Sequence, residues 1–385
     1  MVEQDTPIGT PYGTQTRLPR RRIAWLLWMF ALVALVYWTA AAFCILVDPF
    51  DIYPWGLQVH LKHANYPSDS NPYLIDVAAK DPTIDTMLVG SSTAVDFTRE
   101  QMMQIPGTKN PFNLSYEGAL PADREVVTTQ MLKYSHASRV ILSFDFTYAL
   151  DKDEARDEFP FYLYDGDAVD DLRMVGSTSA RSAFSALTHH GEISNGGGNI
   201  TNLKHEEQFQ DFQTPASMRA LAKAVVRYRG EVDRPTAKTC AAFTAIDAQL
   251  VPYARALSRR HVALDVYIPP YATVTFYDWQ NGLRRGLLGD SIMEDQFLTR
   301  SCLVEALDGL PGVRIFAFDN EAWITDDLAN YKDTAHVYND RIQTYIMKQI
   351  GAGTHQLTKA NVDGYLDTLH RRILAAQVVN SKVKF

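Results

Sequence analysis

Cysteine is almost missing from this 385-residue chain, which has only Cys44, Cys240 and Cys302. None stands at the Cys/His spacing that a structural zinc requires, so no such metal is expected. In an oxidising compartment Cys240 and Cys302 could pair, but their positions do not say that they meet. A surplus of basic charge is missing too. The first 47 residues carry four Arg against Glu3 and Asp5, net +2, and the whole chain carries −8, which leaves −10 on the other 338. Nucleic acid, which asks for clustered Lys and Arg, is a poor partner for such a body. With 46% apolar residues, the chain can bury one large core or two smaller ones.

One long apolar run is present. Arg17, Arg20, Arg21 and Arg22 precede 25 uncharged residues, Ile23 to Val47, and then come Asp48 and Asp51. That length suits a membrane-crossing helix. The arginines assign its N-terminal flank to the cytoplasm and the remainder to the outside. Trp25, Trp28, Tyr37 and Trp38 suit interfacial positions. A cleaved signal peptide is the alternative, since Ala40-Ala41-Ala42 offers small residues. Signal cores are about half this length, which favours an anchor. Cys44, after the bulky Phe43, reads as an apolar residue of the span rather than a lipidation site.

The expected organisation is a cytoplasmic tail over 1–22, the anchor over 23–47 and a connector over 48–80. An α/β domain over 81–350 follows, with an insertion over about 151–235, and then a tail helix within 351–385. Strands are expected at Thr83–Gly90, Pro111–Leu114, Arg139–Phe146, Val262–Ile268 and Val313–Phe318. Helices fall between them at Phe97–Gln104, Ala122–Tyr134, Cys240–Arg260 and Asp295–Leu307, with Val337–Ile350 after the last strand. Strands separated by helical crossovers imply a parallel sheet covered on both faces. Ligands then bind beyond the carboxyl ends of the strands.

Several polar residues follow those ends. Gly90 permits a sharp turn into Ser91 and Ser92, and a following helix would aim N–H groups at the Ser92 oxygen. A hydroxyl there becomes a nucleophile once a histidine takes its proton and a carboxylate orients that histidine. Alternatively Ser91, Ser92 or Thr93 merely caps the helix, and Ser91 competes as nucleophile. Asp333-Thr334-Ala335-His336 offers the acid and the base between the last strand and a helix. The same spacing recurs at Asp367 and His370, but among Leu366, Leu369 and Ile373 that copy reads as a charged stripe on a surface helix. His189 and His190 read as exposed loop residues. The aromatics of Phe159–Tyr164 and Tyr267–Tyr277 read as packing rather than sugar platforms.

Val89-Gly90-Ser91-Ser92, Asn113 to Gly118 and Asp333/His336 together resemble the SGNH (GDSL-like) hydrolase superfamily, in particular membrane-anchored bacterial members that acylate teichoic acids or alginate. The resemblance spans about residues 81–350. It implies a three-layer sandwich on five parallel strands, with Ser92 as nucleophile, His336 as base and Asp333 as its orienting acid. The backbone N–H of Ser92 and Gly118 would form the oxyanion hole. The family's third block supplies an Asn to that hole, whereas Ser143-Phe144-Asp145-Phe146 puts Asp145 in its place. A carboxylate there would repel an oxyanion unless it is protonated or points elsewhere to fix the loop, and Asn113 is an alternative amide donor.

The expectation is therefore an outward-facing, membrane-anchored serine esterase or O-acyltransferase of an envelope or secreted polysaccharide, with no metal or organic cofactor. A membrane-bound acyl-donor protein is a partner implied by the resemblance alone. The rival is a non-catalytic glycan-binding or scaffold subunit, and a weaker third reading is a lipid esterase.

Overall fold

The computed structural model describes residues 20–48, 68–149, 152–167, 170–174, 180, 183–184, 187–188, 214–229, 240–279, 292–333 and 335–383. His189, His190 and most of the expected insertion and connector lie outside them.

Arg20–Val47 is one helix of 28 residues. Its Arg21–Val47 stretch, of mean hydropathy 2.4, is long and apolar enough to cross a membrane. At 1.5 Å per residue it spans about 40 Å, against a hydrocarbon core of about 30 Å. Most of its length is bare, with Trp28 77% and Leu35 64% exposed, but Ala41, Cys44 and Val47 near its end are buried. Val47 belongs to the main core cluster, so the last turns of the helix pack onto the body of the protein.

The body is α/β. Its strands are β1 (Thr86–Val89), β2 (Pro111–Asn113), β3 (Arg139–Ser143), β4 (Ala263–Ile268), β5 (Val313–Ala317) and β6 (Gln356–Leu357). They form one sheet in the order β2-β1-β3-β4-β5-β6. β1 to β5 pair in parallel, whereas β6 pairs antiparallel with β5. The sheet is therefore mixed and six-stranded, unlike the expected all-parallel sheet of five. The sixth strand follows two left-handed residues, Gly353 (φ 72) and His355 (φ 62), which fold the chain back along β5.

Alternate strand residues face opposite sides. Met87, Val89, Val140, Leu142, Leu264 and Val266 join the larger core cluster, with residues of the helices Pro121–Tyr134 and Val251–Arg259. Leu88, Ile141, Tyr267 and Phe316 join a second cluster against Ile342, Ile346 and Ile350 of the helix Asp340–Ala352. Apolar side chains thus cover most of both faces of the sheet, with Asp265 of β4 buried between Arg139 and Arg314 as an exception. Cys240 and Cys302 form a disulfide across 62 positions, joining the turn Cys240–Ala242 to the helix Ile292–Leu307.

Candidate active site

β1 ends at Val89, and Gly90 makes the closest approach in this region. A Cβ on Gly90 would lie 2.7 Å from Ser143 Cβ and 2.8 Å from Ala94 Cβ. Glycine is thus required by crowding between the ends of β1 and β3, not by a left-handed backbone. Residues 91–96 then form a compact turn, in which Ala94 N–H donates to Ser91 O at 2.9 Å. No helix starts at the serines. The helix is the short Arg99–Met102, and its cap is Thr98, which accepts from the Gln101 N–H at 3.2 Å while Gln101 Oε1 accepts from the Thr98 N–H at 2.9 Å. Ser91, Ser92 and Thr93 therefore cap no helix.

Ser92 Oγ lies 2.7 Å from His336 Nε2. On the far side of the ring, Nδ1 lies 2.7 Å from Asp333 Oδ2 and 2.9 Å from Oδ1. The Asp333 carboxylate also accepts the backbone N–H of Ala335 at 2.7 Å and of His336 at 2.9 Å. Burial opposes ionisation of Asp333, but the His336 charge, its hydrogen bond and the two backbone N–H groups outweigh that and hold the carboxyl well below the usual carboxylate range. An ionised Asp333 makes Nδ1 the protonated nitrogen and leaves the Nε2 lone pair for the serine proton. The turn itself is locked. Tyr331 bridges antiparallel to Val337, Lys332 N–H donates to His336 O at 2.9 Å, and Tyr331 hydroxyl donates to Pro270 O at 2.9 Å.

Ser92, Asp333 and His336 line one cavity of about 220 Å³ with Val95, Asp96, Glu117, Gly118 and Lys332. Gly118, with φ 68, adopts a left-handed turn after β2. Among the described residues, neither Ser92 N–H nor Gly118 N–H donates to a backbone carbonyl. Both N–H groups therefore belong to cavity-lining residues and are not used in backbone pairing.

The remaining candidates stand apart from the cavity. Asn113 spends its amide on the turn that carries Ser92, donating to Ala94 O at 2.9 Å, Phe97 O at 3.1 Å and Val95 O at 3.3 Å, while its Oδ1 accepts from Ser115 N–H at 2.9 Å. It braces the loop and has no amide hydrogen left for an oxyanion. Ser91 is buried and donates to Asp145. Asp145 is enclosed behind the turn, paired with Arg124 Nη2 at 3.1 Å and 3.3 Å and accepting the Thr147 N–H at 3.0 Å. Burial works against the Arg124 charge, yet the Asp145 carboxylate keeps its pKa above the ordinary guanidinium value. Arg124 also covers the Tyr148 ring at 4.5 Å and donates to Ala119 O at 2.9 Å. Asp145 therefore points away from the cavity and ties β3, the helix Pro121–Tyr134 and Ser91 together.

Elsewhere, Asp367 and His370 sit on the helix Val362–Ala375, and His370 meets the Phe297 ring edge-on at 5.9 Å. Tyr267, Tyr271 and Tyr277 are buried, and Phe159 packs against Phe161 at 4.6 Å. These aromatics are packing.

Four residues of the site carried no motif signal. Lys332 pairs with Asp96 at 3.1 Å across the cavity wall and lies 5.1 Å from the Tyr338 ring. Arg124 anchors Asp145 from behind, and Asn71 straps the second loop by donating to Ser115 O at 2.6 Å. Only the adjacency of Lys332 to Asp333 and of Asp96 to the Ser92 turn hinted at a role. Among the described residues no group of three or more His, Cys, Asp or Glu is placed to hold a metal. Comparison with known proteins finds no family model that matches the chain and no curated protein similar to it.

Proposed function

We propose that the chain is a membrane-anchored serine esterase or O-acyltransferase of the SGNH type, facing outward and acting on an envelope or secreted polysaccharide. The observation that carries this reading is the relay Asp333–His336–Ser92, with both ring nitrogens engaged at 2.7 Å. Ser92 Oγ attacks the ester carbonyl carbon as His336 Nε2 takes its proton. The oxyanion is received by the N–H groups of Ser92 and Gly118. Collapse breaks the bond to the alcohol, which leaves with the proton from His336, and an acyl-serine remains. Water or a sugar hydroxyl then repeats the sequence in reverse, giving a free acid or a new ester. Asp333 stays ionised throughout and stabilises the imidazolium.

Support for the outward orientation comes from Arg20, Arg21 and Arg22 at the N-terminal flank of the apolar helix. The test is acetate release from p-nitrophenyl acetate and from an O-acetylated xylan by the full chain in neutral detergent. Ser92→Ala and His336→Ala are each expected to lower turnover by about 10³-fold or more with folding retained. Unchanged turnover in either variant overturns the assignment. Absence of turnover in the folded wild type favours a glycan-binding subunit that performs no acyl chemistry.

A further inference from the structure

Two turns must meet for the relay to exist, and its serine and histidine are 244 positions apart in the chain. Residues 91–96 follow β1, and residues 331–337 come after β5. The contact of Ser92 Oγ with His336 Nε2 at 2.7 Å joins them at one point. In acyl transfer that contact cannot fix the register alone, because the proton leaves the serine and the bond is remade at every turnover. The same two turns are joined a second time. Lys332 Nζ pairs with Asp96 Oδ2 at 3.1 Å, and the two side chains are only 13% and 9% exposed. A pair between exposed side chains would add little; this one is mostly out of water.

Each half of the pair stands on a fixed backbone. The Asn113 amide, at the end of β2, donates to Ala94 O at 2.9 Å, Phe97 O at 3.1 Å and Val95 O at 3.3 Å. The stretch that carries Asp96 is thereby tied to the sheet. On the other side, Lys332 N–H donates to His336 O at 2.9 Å, and Tyr331 bridges to Val337 around it. Lys332 thus holds the base residue with its backbone and the serine turn with its ammonium. The Tyr338 ring, 5.1 Å from Nζ, flanks that ammonium, and Tyr338 N–H donates to Asn330 O at 2.8 Å.

The pair also balances charge. Asp96 of the serine turn, Glu117 of the loop before Gly118 and Asp333 of the base's own turn line the cavity with His336. Lys332 is the one Lys or Arg among the described residues that line it. Without its ammonium, an uncompensated Asp96 carboxylate would favour the protonated imidazole, which cannot act as a base. We infer that Lys332 and Asp96 are positioning residues of the acyl transfer: their pair keeps the turn of Ser92 in register with that of His336 and offsets the carboxylates that face the imidazole. Both act through the relay and neither meets the reacting atoms. The inference rests on the catalytic reading above and adds to it two residues outside the relay.

The test reads kcat, KM and the pH profile of kcat/KM for p-nitrophenyl acetate, using the full chain in neutral detergent. Thermal unfolding of each variant confirms that it is folded. Displacing such a relay by about 1 Å costs about 100-fold, so Lys332→Met and Asp96→Asn are each expected to lower kcat about tenfold or more. KM should stay within about twofold of wild type, since neither group holds the ester. Lys332→Arg keeps the charge and the reach and should recover most of the loss. Lys332→Met/Asp96→Asn should be no slower than the worse single variant, because the second change has no pair left to break. The acidic limb of the profile should move up in Lys332→Met, where Asp96 is left uncompensated. It should move down in Asp96→Asn, where Lys332 is, and return to its wild-type place in the double variant. Single variants with kcat within about twofold of wild type, or losses that multiply in the double variant, overturn the inference and leave the relay standing. Limbs that stay in place or move together overturn it as well. A folded wild type that turns over no ester removes the catalytic reading and the positioning role with it.

Discussion

Replacing Asp145 with Ala separates a loop-bracing role from a catalytic one. The Arg124 and Asp145 side chains are 3% and 0% exposed and paired at 3.1 Å. Removing one partner of such a pair leaves a buried charge uncompensated, which costs about 3–5 kcal/mol. Ser91 and Thr147 lose their shared acceptor as well. With a urea dependence of about 3 kcal/mol per molar for a chain of this size, the midpoint should fall by roughly 1 to 1.7 M. Pulse proteolysis of the full chain in urea measures it. Arg124→Met should cost a similar amount. The double variant Arg124→Met/Asp145→Ala should cost less than the two together by about 1–3 kcal/mol, because neither charge is then stranded. Strict additivity refutes the pairing. A variant that keeps wild-type stability while losing turnover would instead put Asp145 in the reaction itself.

Other outcomes follow from single contacts. Gly90→Ala forces a methyl against Ser143 and Ala94, so it should destabilise by about 1–3 kcal/mol and lower turnover by displacing Ser92; a wild-type urea midpoint would show that the turn has room. The depressed Asp333 carboxyl adds stability that is full above the unfolded value of about 3.9 and is lost only as pH falls through its lower native value. Its carboxyl resonance should therefore still report the ionised form at about pH 3, and a midpoint near 4 in the folded chain would contradict the hydrogen-bond count at that group. Cys240→Ser/Cys302→Ser opens a loop of 62 positions and should cost about 4 kcal/mol by loop-closure entropy, seen as a lower thermal midpoint; an unchanged midpoint would mean that the bridge adds nothing.

Much of the layout was legible because it rests on local pattern. The apolar runs around Leu88, Ile141, Val266 and Ile315 bury both faces of a sheet and read as strands without any knowledge of neighbours. The order of the Ser92 turn, the Gly118 loop and the Asp333–His336 turn, each after a strand, follows from how parallel sheets collect loops at one rim. What stayed hidden depends on partners distant in sequence. The destiny of Asp145 is set by Arg124, 21 positions earlier, and no local pattern announces that pair. The amide of Asn113 is claimed by carbonyls of another loop. β6 has only two residues, too few to show alternation, and exists because Gly353 and His355 turn the chain back. Thr98 rather than a serine caps the helix because residues 91–96 first pass through a compact turn, which leaves the serines well before its first turn.

The most direct measurement is labelling of the folded, detergent-solubilised full chain with a fluorophosphonate probe, read by intact mass and peptide mapping. One adduct is expected, on Ser92, lost in Ser92→Ala and strongly slowed in His336→Ala. A folded chain that takes no label, or label that persists in Ser92→Ala, contradicts the assignment.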